Sequence, residues 1–394
     1  MNPATETLVP PKLRDELFAL RHELHRHPEL ASEEQETAER LEAALELAAP
    51  GTVRRIAGTG VVGRIKGRNA KAPVVAVRGD IDALPVQEAT GWEFQSVNAG
   101  VMHACGHDVH ASWAVGAAHL LAAEPAEGDV VIVLQPAEET GRGAPAVLES
   151  GALDDVVMIF GAHVDMQFAL GEVVAEEGPV AGSTDQFEIE IVGRGAHAAR
   201  PHEAEDPIVA AAAIIGALQR IVSRRLAPGE PGVVTVGIIR AGTASNVIPE
   251  RALLTGTLRA IQTSTRRVLR DQLRATATAT AEAYGVRAEV TINHGPPTII
   301  NVPEPISWAR AAVGHLLGDG ALVRLPAPNL GGEDFAYYLE KMGGCFLRIG
   351  ARGPDRDPIP AHTAHFLPHD DAVLVGAAVL AETARRASAA LARR

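Results

Sequence analysis

The chain has 394 residues, more than one hydrophobic core usually organises, so two domains are expected. Its 46% hydrophobic content comes mainly from Ala, Val and Leu, which suits close helix-to-strand packing and excludes a disordered chain. With 36 basic against 49 acidic side chains the formal charge is -13, which argues against nucleic acid or an anionic membrane as the main partner.

The N-terminal sequence MNPATETLVPPKLRDELFAL lacks the basic-then-apolar pattern of a secretory signal, and no run of about 18 uncharged apolar residues occurs, so a cytoplasmic protein is expected. Residues 13–24 carry apolar side chains at helical spacing. After Pro28, the run Ser32, Glu33, Glu34, Gln35 reads as a capping box opening a second helix to about residue 48. Valine- and isoleucine-rich runs follow: GVVGRI, PVVAV, DVVIVLQ and DVVMIF, separated by helix-like segments such as 112–123. Continuous apolar runs of this kind predict buried strands of a mostly parallel sheet with helices on both faces, an α/β domain.

From about Ser183 the pattern changes. DQFEIEIVG alternates polar and apolar residues as a half-solvated antiparallel strand does. A helix over 206–226, the strands GVVTVGIIRAG and RALLTGTLRA, a helix over 264–284 and the strand RAEVTINHG complete a βαββαβ, ferredoxin-like order. The chain then returns to helix-rich α/β sequence: a helix over 304–317, GGEDFAYYLEKMGG, the strand CFLRIG and a final helix from Asp371. The first domain is therefore expected to be discontinuous, 1–182 with 296–394, around an insert of 183–295.

In open α/β sheets ligands bind beyond the carboxyl ends of the strands. Asp80 and Asp82 follow PVVAV, Glu138 and Glu139 follow DVVIVLQ, and His163 follows DVVMIF. MHACGHDVH, residues 102–110, adds three histidines, a cysteine and an aspartate just before a helix. Gly106 permits a sharp turn that lets Cys105 and His107 face one centre. With only Cys105 and Cys345, no disulfide framework exists, and a cysteine flanked by histidines reads as a thiolate ligand or a nucleophile. Thiolate, imidazole and carboxylate donors suit zinc and tolerate manganese, cobalt or nickel. Two cations need anionic ligands, and a hydrolase also needs an uncoordinated carboxylate to take a proton from water; adjacent Glu138 and Glu139 can divide those tasks.

RGDIDALP, MHACGHDVH, QPAEE, GAHVD, GRGAHAARPH and GGEDF, in that order across residues 24–371, resemble the dinuclear metallo-amidohydrolase and peptidase family of aminoacylases, hippurate hydrolase and plant auxin-amino acid conjugate hydrolases, in its amidohydrolase branch. The resemblance implies two divalent metal ions held by Cys105, His107, Glu139, His163 and His362, with Glu138 as general acid/base and Asp82 orienting an imidazole ligand. It implies that the insert is a lid and dimerisation domain, that His197 reaches the active site of the second subunit of a homodimer, and that Asn246, Arg259 and Glu333 contact the substrate.

Where related chains carry His, then Ser or Thr, then Pro, this one reads His362, Thr363, Ala364, His365; spacing to Phe366 and Asp370 favours His362, with His365 the alternative. The expected activity is hydrolysis of N-acyl-L-amino acids. The rivals are a metallo-exopeptidase, a metal-binding protein without turnover, and a thiol hydrolase using Cys105.

Overall fold

The computed structural model describes residues 7–327, 329–354 and 356–394. It divides into two compact units. The first comprises Met1–Gly178, Ile300–Pro326 and Asp334–Arg394, and the second Pro179–Ile299 and Ala327–Glu333.

The first unit is built on an eight-stranded sheet whose four central strands run parallel in the order Val130–Gln135, Val74–Asp80, Val156–Ala169, Gly344–Arg352. Gly60–Ile65 joins antiparallel on one side, and Val173–Val174 pairs antiparallel with Gly344–Arg352 on the other. Both faces are covered, so the strands read as continuous apolar runs rather than alternating ones. Val75, Val77, Ile132, Leu134, Phe160 and Ala162 enter one core with the helices His107–Ala123 and Asp371–Leu391. These helices approach closely at Gly376, where a Cβ would lie 2.2 Å from the Trp113 ring. The other face carries Arg78, Gln135, Phe335 and Tyr338; a Cβ at Gly161 would lie 2.6 Å from Phe335. His107–Ala123 is buried nearly all round, which is why it lacks an amphipathic stripe.

Two local expectations are corrected. The second helix runs Gln35–Glu46 with Glu34 at its N-cap, and Ser32 makes no cap. The Glu29 carboxylate reaches in from the preceding turn to accept from the backbone N–H groups of Glu36 (3.3 Å) and Thr37 (2.7 Å), two of the first-turn donors that have no partner inside the helix. His163 lies inside a strand rather than after one. Past Phe160 that strand has left its Val74–Asp80 neighbour but stays paired to Gly344–Arg352, with His163 opposite Arg348.

The second unit is an antiparallel sheet in the order Gly232–Ala241, Arg251–Ala260, Ser183–Val192, Arg287–His294, with the helices Pro207–Arg225 and Thr263–Ala283 packed on it. The chain order is the expected βαββαβ. Asp206 caps the first helix by accepting from Ile208 N–H (2.8 Å) and Val209 N–H (3.3 Å). Among the described residues this is the one helix long and apolar enough to cross a membrane by composition, and Ala210, Ala211, Ile214, Leu218 and Ile221 on it enter the unit's core.

Asp185 ties that sheet to its second helix. Its buried carboxylate accepts two bonds from Arg266 (2.6 and 2.9 Å) and two from Arg270 (2.6 and 2.9 Å). Burial opposes ionisation, but the two guanidinium groups prevail and hold the carboxyl at about 2. A depressed carboxyl pKa stabilises the folded state above the unfolded value and loses that contribution as pH falls through 2. Asp185→Asn is expected to lower stability at pH 7 by about 1–2 kcal/mol, allowing for solvent screening, and to flatten the acid limb between pH 4 and 2; thermal melts across that range check it.

Candidate metal centre

The donor side chains arrive from separate elements at one end of the parallel strands. Gly106 takes φ +92° and turns the chain into His107–Ala123. Cys105 and His107, on either side of that turn, thereby reach the same region. The fit is close: a Cβ at Gly106 would lie 2.5 Å from Val164 Cγ2.

Hydrogen bonds to the far nitrogens fix which ring atom each histidine presents. His107 Nδ1–H donates to the Asp82 carbonyl (2.8 Å), with the Asp82 carboxylate at 3.2 Å, and Nε2 is buried without a hydrogen-bond partner. His163 Nδ1–H donates to the Val164 carbonyl (2.7 Å), leaving Nε2 3.3 Å from Cys105 Sγ. Both rings thus present an Nε2 lone pair. Glu139 Oε1 is likewise buried and unbonded, 3.8 Å from His107 Nε2 and 3.5 Å from His362 Nε2. Burial, reinforced by the Glu139 charge, pushes the Cys105 thiol well above its usual range. Burial, with His110 beside it, holds His163 neutral, well below the usual imidazole range. A thiol that will not ionise unaided, an imidazole nitrogen of His107 with no partner among the described residues, a His163 Nε2 whose one contact is that thiol, and an unbonded carboxylate oxygen fit divalent cations.

The donors form overlapping groups with their ligand atoms within 4.8 Å of one another: Cys105, His107 and His163; Cys105, Glu139 and His362; His107, Glu138 and Glu139. His362 adopts φ +64° and its N–H donates to the Ala104 carbonyl (2.7 Å), which brings it to the Cys105 turn. His365 is exposed and enters none of these groups. Glu138 Oε1 accepts from Asp334 N–H (3.3 Å), and Asp82 Oδ2 accepts from Glu139 N–H (3.0 Å).

The remaining expected residues lie in the second unit. His197 is exposed on the two-residue strand Ala196–His197, which pairs with Val247–Ile248; Asn246, just before that partner strand, is exposed too, and its carbonyl accepts from Ala198 N–H (3.0 Å). Arg259 Nη1 donates to the Leu330 carbonyl (3.0 Å). Glu333 is buried, shortly before the helix Ala336–Lys341.

Sequence reasoning placed Asp80 at its strand end but missed the buried charge networks behind the donors. Asp108 accepts from Arg21 Nε (3.1 Å) and lies 3.0 Å from His25 Nδ1. Burial disfavours a charged His25, but Asp108 and Glu88 raise it to about 9. Arg78, Asp80, His110 and Asp334, all fully buried, form a second network. The available signal was Arg78 itself, a charge inside an apolar run read as buried on both faces.

Residues 76–386 match the profile described as Peptidase family M20/M25/M40. The chain belongs to this family. It is 37% identical over 381 residues to an N-acetyl-L-cysteine deacetylase of Bacillus subtilis (strain 168), covering 95% of this chain and 88% of that one. With IAA-amino acid hydrolase ILR1-like 4 of Arabidopsis thaliana it shares 38% identity, covering 94% and 86%. A solved structure of a dinuclear metal binding peptidase of the M20 family from Bacillus subtilis superposes with a TM-score of 0.83 at 35% identity, over 96% of this chain and 99% of that one. This M20 chain is a metal-dependent amidohydrolase, and the expected α/β catalytic architecture and amidohydrolase branch hold.

Gly106→Ala in this M20 chain forces a side chain into left-handed backbone and against Val164. It is expected to destabilise the fold by about 1–3 kcal/mol and to weaken zinc binding, read by denaturant unfolding and by calorimetric titration of chelator-stripped protein.

Proposed function

We propose that this enzyme hydrolyses the amide bond of N-acyl-L-amino acids, N-acetylated or hippurate-like, using two divalent ions held by Cys105, His107, Glu139, His163 and His362. The observation that carries the reading is that Cys105 belongs to two three-donor groups, one with His107 and His163 and one with Glu139 and His362. These five residues would hold the two ions between them, with the Cys105 thiolate supplying anionic charge close to both groups. When bound, divalent ions acidify water and polarise an amide carbonyl. The relatives named for N-acetyl-L-cysteine and for IAA-amino acids support an acylated amino acid as the substrate class.

Glu138 is the general acid/base. Its Oε1 rests on the Asp334 N–H, and it takes the proton of the attacking water and returns it to the leaving nitrogen. Asp82 holds the His107 ring in the tautomer that frees Nε2. Arg259 and Asn246 bind the substrate carboxylate, the guanidinium fork matching its two oxygens, and Glu333 lines the same pocket.

His197 acts on the oxyanion from a second copy of the chain, so the enzyme works as a homodimer through the inserted domain 183–295, which also serves as its lid. The edge strand Gly232–Ala241 supports this pairing: it has a partner on one side only and exposes Ile238 (43%) and Ile239 (53%), and the helix Pro207–Arg225 exposes Ile208, Val209 and Val222. An open apolar edge of this kind calls for a partner strand. Two free, buried cysteines suit the reducing cytoplasm.

A screen of metal-loaded enzyme on N-acetyl-L-amino acids, N-benzoyl-L-amino acids and dipeptides should show turnover of the acyl compounds; cleavage of dipeptides alone would replace this reading with an exopeptidase. Glu138→Gln should keep its metal while kcat falls at least about 100-fold. In sedimentation experiments Ile239→Asp should run as a monomer and lose activity, whereas an active monomer would remove His197 from the mechanism.

A further inference from the structure

We infer that Arg78 is a positioning residue whose guanidinium, through Asp334 on one arm and Asp80 with His110 on the other, sets the places of Glu138 and His163. This rests on the reading of Glu138 as the base and His163 as a metal ligand.

Arg78 has no solvent exposure, and all three of its guanidinium nitrogens donate to buried side chains of the first unit. Nε donates to Gln135 Oε1 (2.8 Å), Nη1 to Asp80 Oδ2, and Nη2 to Asp334 Oδ1 (3.0 Å). Gln135 Nε2 also reaches both Asp334 oxygens (2.9 Å each), Ala144 N–H donates to Asp334 Oδ2 (2.9 Å), and Tyr338 Oη donates to Gln135 Oε1 (3.1 Å). One cation thus sits between two buried carboxylates whose outer contacts lead to the site. Asp334 offers its backbone N–H to Glu138 Oε1 at 3.3 Å. Asp80 Oδ1 accepts from His110 Nδ1–H (2.6 Å), which leaves His110 Nε2 to accept the Val164 N–H (3.0 Å) and fixes the peptide that follows His163.

Apolar side chains fill the other face of these strands, and desolvating an ion costs several kcal/mol before any pairing repays it. A charge kept there, with each arm ending beside a different functional group, fits a device that fixes orientation. Lysine could supply the charge, but its three donors radiate from one nitrogen and lack the fixed planar fork that reaches Gln135, Asp80 and Asp334 from three nitrogens.

The test separates the arms. Asp334→Asn should lower kcat about 10- to 100-fold with KM nearly constant and zinc affinity unchanged by calorimetry of chelator-stripped protein. His110→Gln should weaken zinc affinity by about 10-fold or more yet retain most of kcat at saturating zinc. Arg78→Lys, if it folds, should show both losses. In a Glu138→Gln background, Asp334→Asn should cause no further loss. Multiplying losses in that double variant, or parallel loss of zinc affinity and turnover in both single variants, would overturn the inference. Full kcat in Glu138→Gln alone would instead overturn the assignment of the base.

Discussion

The structure turns on the cost of burying ligand atoms that nothing among the described residues satisfies. His107 Nε2 and Glu139 Oε1 have no hydrogen-bond partner, and the Cys105 thiol beside them is driven away from ionisation by burial and by the Glu139 charge. Lone pairs and a latent thiolate turned on one small volume are unfavourable alone and favourable around divalent cations. The surrounding fold is arranged to tolerate that cost. Asp82 engages the far side of the His107 ring and the Val164 carbonyl that of His163, so both rings are held with Nε2 turned toward Cys105 and its neighbours.

The parallel sheet explains how so many donors converge. Its central strands deliver Asp80, Asp82, Glu138 and Glu139 at one end, and the long strand carrying His163 outruns one neighbour while keeping the other. Gly106 then lets the helix His107–Ala123 begin against Val164 with Cys105 and His107 on either side of the turn. Distant segments hold this start in place: Arg21 and His25 of the first helix grip Asp108, and Arg21 also donates to the Pro368 carbonyl (2.9 Å) ahead of the last helix.

Much of this was legible in the sequence because it follows from period and position. Continuous apolar runs marked the two-sided sheet, alternation in DQFEIEIVG marked the half-solvated sheet of the second unit, and donors after strand ends marked the site. What failed depended on tertiary partners. Ser32 looked like a helix cap until Glu29 supplied the carboxylate from outside the helix. The extent of the His163 strand depends on pairing with Gly344–Arg352, distant in sequence. The Arg78 network joins residues 78, 80, 110, 135 and 334, and no local pattern announces that one arginine serves two carboxylates so far apart in the chain.

The central claim is a dinuclear centre built around Cys105. Its most direct test is zinc titration of chelator-stripped protein, followed at once by turnover and by X-ray absorption at the zinc edge. The account predicts that activity saturates at two equivalents per chain, with sulfur scattering at about 2.3 Å. Saturation at one equivalent, or full activity without a sulfur shell, would contradict it.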